Sequence, residues 1–113
     1  MTNATLRAAD AIRILNDEFR RTFVGGVVLL TAGVEALPET SRRSLLKKVR
    51  EFETFDADND PHGEHDFGAF EEGGEKFFWK IDTYDRDMAA HSPDATDPSV
   101  TTRVLTIMLA EEY

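Results

Sequence analysis

Thirteen consecutive residues, "DADNDPHGEHDFG" at 56–68, bring together the carboxylates of Asp56, Asp58, Asp60, Glu64 and Asp66 and the imidazoles of His62 and His65. Asp56, Asp58 and Asp60 alternate in the way that calcium loops aim successive side chains at one hard cation. The EF-hand pattern nevertheless fails at its two most diagnostic places, because the sixth position is Pro61 instead of glycine and the twelfth is Phe67 instead of glutamate. A looser calcium site stays open. His62, Glu64, His65 and Asp66 also offer the ligand types that zinc, manganese or iron accept, with His62, His65 and Asp66 the narrowest candidate set. The two histidines are three apart with Gly63 between them, so such a site would be built on a loop and not on one face of a helix.

Metal-free acid–base chemistry, with a histidine oriented by a carboxylate, is a further reading. It lacks a convincing nucleophile. The chain has no cysteine, and Ser92, Ser99 and Thr83 stand outside any nucleophile-elbow context. No catalytic residue is assigned. The plainest alternative is a turn in which carboxylates and imidazoles bond the backbone and fix the entry to the next element.

The charge around this segment is uneven. Residues 1–50 carry nine Lys/Arg against five Asp/Glu, residues 51–75 carry ten acids and no Lys or Arg, and residues 76–113 carry seven acids against four bases. The central block thus exceeds the whole net charge of −9. Such a block repels nucleic acid and attracts cations or basic protein surfaces. Gly25 and Gly26 lack the following lysine and hydroxyl residue of a phosphate loop. The aromatic run Phe77, Phe78 and Trp79 imitates a base-stacking platform, but alternation sends part of it to the core and the nearby acids oppose phosphate.

The elements that must position the loop follow from periodicity. Leu6, Ala9, Ile12, Leu15 and Phe19 recur at spacings of three and four, which predicts a first helix from Thr5 to about Arg21. A β-branched and leucine run predicts a strand over Val27–Thr31, covered on both faces or nearly so. Pro38 suits the first turn of a second helix, whose apolar stripe is Leu45, Leu46, Val49 and Phe52 and whose other faces are basic. Those cations could serve as a docking face or pair with the chain's own acids. "EEGG" then reads as a hairpin turn, with Phe77, Trp79 and Ile81 as the core set of its second arm. A Pro-, Asp- and Ser-rich connection leads to a last strand, with Val104, Thr106 and Met108 on one face and Leu105, Ile107 and Leu109 on the other.

Five stretches, "LNDEFRR" (15–21), "VLLTAGV" (28–34), "FDADNDPHGEHDFGAF" (55–70), "FFWKIDTYD" (77–85) and "TTRVLTIMLAEEY" (101–113), closely resemble the bacterial domain-of-unknown-function 3768 family, found mainly in alphaproteobacteria. The resemblance implies no activity, substrate or catalytic residue.

The expectation is a single α+β domain over 1–113, in the order helix–strand–helix–strand–strand–strand, with two helices packed on one face of a small, mainly antiparallel sheet. The longest apolar stretch, "FVGGVVLLTAGV", is too short for a bilayer, the beginning lacks an apolar signal segment, and cysteine is absent, which suits the cytoplasm. The functional expectation is an interaction module, more binder than enzyme, that offers Asp56, Asp58, Asp60, Glu64 and Asp66 to a basic protein partner, nucleic-acid mimicry being one version. Its alternative is a metal-dependent hydrolase using His62, Glu64, His65 and Asp66. No cofactor is expected under the first reading and a divalent metal under the second.

Overall fold

A computed structural model describes residues 7–113. Its first helix, α1 (Ala8–Thr22), carries the stripe expected of it, with Phe19 fully inside; Thr5 and Leu6 of the expected helix lie outside the described residues. The chain then runs through β1 (Gly26–Leu30), a single helical turn α2 (Ala32–Glu35) and α3 (Glu39–Arg50). Pro38 directly precedes the first residue of α3, where a missing N–H costs the helix nothing. Leu45 and Val49 are buried on its inner face, and Phe52 stays buried just past its end.

After the acidic segment comes the hairpin β2 (Phe67–Glu72) and β3 (Glu75–Tyr84). Gly73 and Gly74 have φ of 60° and 82°, the positive values that a two-residue hairpin turn needs and that side chains resist. The final strand is β4 (Thr102–Leu109). Strands β2, β3 and β4 form an antiparallel meander, and β1 adds in parallel to the far side of β4, with Val28 beside Leu105, to give the order β1-β4-β3-β2.

The helices pack on the face that Phe77, Trp79, Ile81, Leu105 and Ile107 present, and Phe19, Val34, Leu45, Val49 and Phe52 close the core over it. Trp79 is wholly inside, as its alternation predicts. It reaches so close to β2 that a Cβ on Gly68 would stand 2.3 Å from its Nε1, so the neighbouring strand has room only for glycine. The expectation that β1 is covered on both faces is corrected: Val27 and Leu29 are 38% and 47% exposed. Helices cover only one face of the sheet, and β1 is an edge strand, so its outward residues meet solvent while Val28 and Leu30 pack inward.

Glu112 ties the end of the chain back to this frame. Its carboxylate accepts from Thr31 Oγ1, Gly33 N and Leu109 N at 2.6, 2.9 and 2.9 Å. These bonds to the ionised form, that from Thr31 foremost, hold its pKa below the usual carboxylate range.

Candidate functional site

The acidic segment leaves α3 at Phe52 and returns to the sheet at Phe67. Its outer half is a self-bonded turn. Asp56 Oδ1 accepts from the N–H groups of Asp58 and Asn59, both at 2.9 Å, and the Asn59 amide bridges Asp56 N and Thr54 O. Those backbone bonds leave Asp56 and Asp58 at the exposed tip.

The inner half is different. Asp60 is buried, and its Oδ1 accepts from Glu64 N and His65 N at 3.1 Å each. This folds the chain back sharply enough to place His65 at φ 52°, a conformation that non-glycine residues adopt only when their surroundings hold them. The His65 ring lies flat on Phe55, 3.7 Å between centroids. Its Nδ1 bonds Asp17 Oδ1 and Oδ2 at 2.9 and 3.1 Å, and its Nε2 faces Asp60 Oδ2 at 3.6 Å.

Helix α1 anchors this arrangement from below. Asp17 also accepts from Arg20 Nη2 at 3.1 Å, and the wholly buried Arg20 donates through Nη1 to the carbonyls of Val49 and Arg50 at the end of α3. Its guanidinium lies over the rings of Trp79 and Phe55, at 5.2 and 5.5 Å from their centres. Burial lowers its basicity, and the bond to Asp17 opposes that. One residue before Asp17, Asn16 donates to Glu64 O at 2.9 Å and accepts from Arg103 Nε at 2.8 Å. A chain of polar contacts therefore runs from Asp60 through His65, Asp17 and Arg20 to the C-terminal end of α3.

The expected binding residues thus divide. Asp56 and Asp58 project, Asp60 is turned inward as a brace, and Glu64 and Asp66 lie half-buried at the base. The expectation of five carboxylates on one outward surface is corrected at Asp60, which is buried, its Oδ1 accepting from the backbone N–H groups of Glu64 and His65 and its Oδ2 facing His65 Nε2. His62 is exposed, while His65 is committed to Asp17. Among the described residues no three or more His, Asp or Glu side chains are arranged to hold a metal ion, so His62, His65 and Asp66 do not converge as a ligand set. The basic helix stays apart from the loop. Lys48 reaches Glu72 and the Glu71 carbonyl, Arg43 pairs with Glu39, and Arg42 bonds the carbonyls of Glu35 and Leu37.

Periodicity alone overlooked Asn16, Asp17, Arg20 and Arg103. A signal was present, since Asn16 and Arg20 are four apart and border the apolar stripe of Leu15 and Phe19, a place where solvated polar residues are unexpected.

Burial raises the pKa of both Glu64 and Asp66, and nearby carboxylates add to it while His62 opposes. The folded state therefore holds these protons more tightly than the unfolded chain. Their contribution to stability is fully present below the ordinary carboxylate range and is lost as pH rises through the raised folded values. Asp66→Asn removes one such group. Relative to the wild type, the variant should gain stability between about pH 3 and about pH 7, measured by urea unfolding at both; a difference that does not change with pH would contradict the assignment.

A model for a family described as a protein of unknown function, DUF3768, matches residues 30–112, from the last residue of β1 onward. No curated protein and no solved structure matches the chain.

Proposed function

The chain belongs to the DUF3768 family, and on that premise we propose that it is a small acidic interaction module of the cytoplasm, whose rigid loop docks a basic protein surface. One observation carries the reading: Asp56 and Asp58 stand exposed on a turn locked by its own hydrogen bonds, and among the described residues neither pairs with a lysine, arginine or histidine. Unneutralised carboxylates carried on a locked turn cost little backbone freedom when they meet a cationic partner. Half-buried Glu64 and Asp66 add negative charge at the base of the same segment. Lys48 of α3 is taken up by Glu72, and among the described residues no cation of α3 pairs with the tip. Spaced carboxylates on a stiff turn are also the arrangement by which a protein could stand in for a phosphate row. Of the described residues, no helix is long and apolar enough to cross a membrane.

Reversing both tip charges, Asp56→Lys with Asp58→Lys, tests the proposal. Association with arginine- and lysine-rich peptides, followed by stopped-flow fluorescence at low ionic strength, is expected to slow by roughly tenfold and to lose most of its salt dependence. The same two-charge reversal at the exposed Asp87 and Glu111 should leave association nearly unchanged. Equal effects of the two reversals would show that only net charge matters, and the loop would lose its claim.

A further inference from the structure

A second, unrelated feature lies on the other side of Asn16. Where β1 and β4 begin, the last turns of α1 and the 85–101 connection leave a cleft of about 760 Å3. Leu15, Phe19, Val24 and Pro98 give it apolar walls. Arg103 lines it and is only 4% exposed.

Among the described residues that arginine meets no anion. Its Nε donates to the neutral amide oxygen of Asn16 and its Nη2 to the carbonyl of Ala95, at 2.8 and 2.6 Å. Among the described residues no carboxylate lies within ion-pair distance of it, and Nη1 makes no hydrogen bond while not being sealed from solvent. Arg20 shows the contrast, being equally buried but paired with Asp17. A guanidinium withdrawn from water without a counter-charge is costly, and a ligand that brings the charge recovers that cost. In a chain of net charge −9, Arg86 also stands at this cleft, which adds a second cation.

The remaining walls narrow the ligand. Thr22 and Thr101 line the cleft, but their hydroxyls already donate to Glu18 O and Asp94 O, both at 2.8 Å, which leaves little to bond a sugar or a base. Glu18 adds a carboxylate on the α1 side, which disfavours ligands of high negative charge.

We propose that this cleft binds a small organic monoanion, with its carboxylate on Arg103 and its apolar body against Leu15, Phe19, Val24 and Pro98. The site is separate from the acidic loop and does not depend on the function assigned to it. Asn16 touches both, donating to Glu64 O on one side and accepting from Arg103 on the other.

Titration with butyrate, hexanoate, phenylacetate and inorganic phosphate, followed by amide chemical shifts, tests it. Shifts are expected at Leu15, Phe19, Val24 and Thr101, with affinity rising about three- to fourfold per added methylene from butyrate to hexanoate. Phosphate should bind more weakly than hexanoate. Val24→Asp places a repelling charge at a residue that is 75% exposed, so the fold is untouched and hexanoate binding should fall by roughly tenfold or more. Arg103→Lys keeps a cation but loses the guanidinium whose bonds to Asn16 and Ala95 leave Nη1 for the ligand, and should also weaken hexanoate. The proposal is overturned if no carboxylate shifts the cleft residues, if phosphate binds as tightly as hexanoate, or if Val24→Asp binds hexanoate as well as the wild type.

Discussion

Arg20→Ala is expected to destabilise the protein by about 3–5 kcal/mol, the range for breaking a buried charge pair by removing one member. The side chain is wholly inside and does three things at once: it neutralises Asp17, it supplies donors to Val49 O and Arg50 O where α3 has run out of its own, and it fills the space between Phe55 and Trp79. Alanine abandons all three. Asp17 would be left against His65 alone, and the two carbonyls would lose their partners in a place water cannot easily reach. Arg20→Lys should retain part of the stability, since an ammonium can meet Asp17 but cannot fork to two carbonyls or lie flat on the rings. Urea unfolding checks this: the midpoint should fall with an unchanged slope for both variants, further for alanine than for lysine. A loss under about 1 kcal/mol for Arg20→Ala would mean that water replaces these contacts, and the polar chain beneath the loop would be ornamental.

Asp60→Ala is the second large effect, and it separates bracing from charge. Its carboxylate holds the part-buried N–H groups of Glu64 and His65, and an unsatisfied donor costs about 1–3 kcal/mol when wholly buried, toward the low end here. Two such donors put the expected global loss at about 2 kcal/mol or more, limited by how readily the segment opens on its own. Asp60→Asn keeps an acceptor oxygen at nearly the same place and should lose much less. Hydrogen exchange at the Glu64 and His65 amides gives the local readout, with protection lost in the alanine variant and largely kept in the asparagine variant. If both variants behave alike, the negative charge opposite His65 Nε2, and not the acceptor geometry, is what holds the fold of the loop. Because Asp56 and Asp58 are untouched, a weakened interaction with basic peptides in Asp60→Ala would further show that rigidity of the tip matters to docking.

The elements whose signals are local were readable in advance. Helix α1 announced itself through Ile12, Leu15 and Phe19, α3 through Leu45 and Val49 behind Pro38, and the hairpin through two adjacent glycines and the alternation around Trp79. Four-residue α2 is too short to leave a periodic trace, and it went unseen. The environment of β1 was misjudged for a related reason. "GVVLL" is apolar on both faces whether it lies inside a sheet or along its edge, and only its parallel pairing with β4, a partner far away in the chain, makes it an edge.

In the acidic segment, residue types alone determined where the negative charge is concentrated and which ligand chemistries were worth weighing. They could not say which carboxylates face outward. That choice belongs to the tertiary structure, because it depends on which backbone N–H groups are drawn out of solvent and need an acceptor: Asp60 is turned in to meet two part-buried ones, while Asp56 meets its own turn at the surface. The same holds for Asn16, Asp17, Arg20 and Arg103. Their identities are plain in the sequence, but a charge becomes a structural tie or an unpaired cation only when packing removes water and decides what stands opposite it.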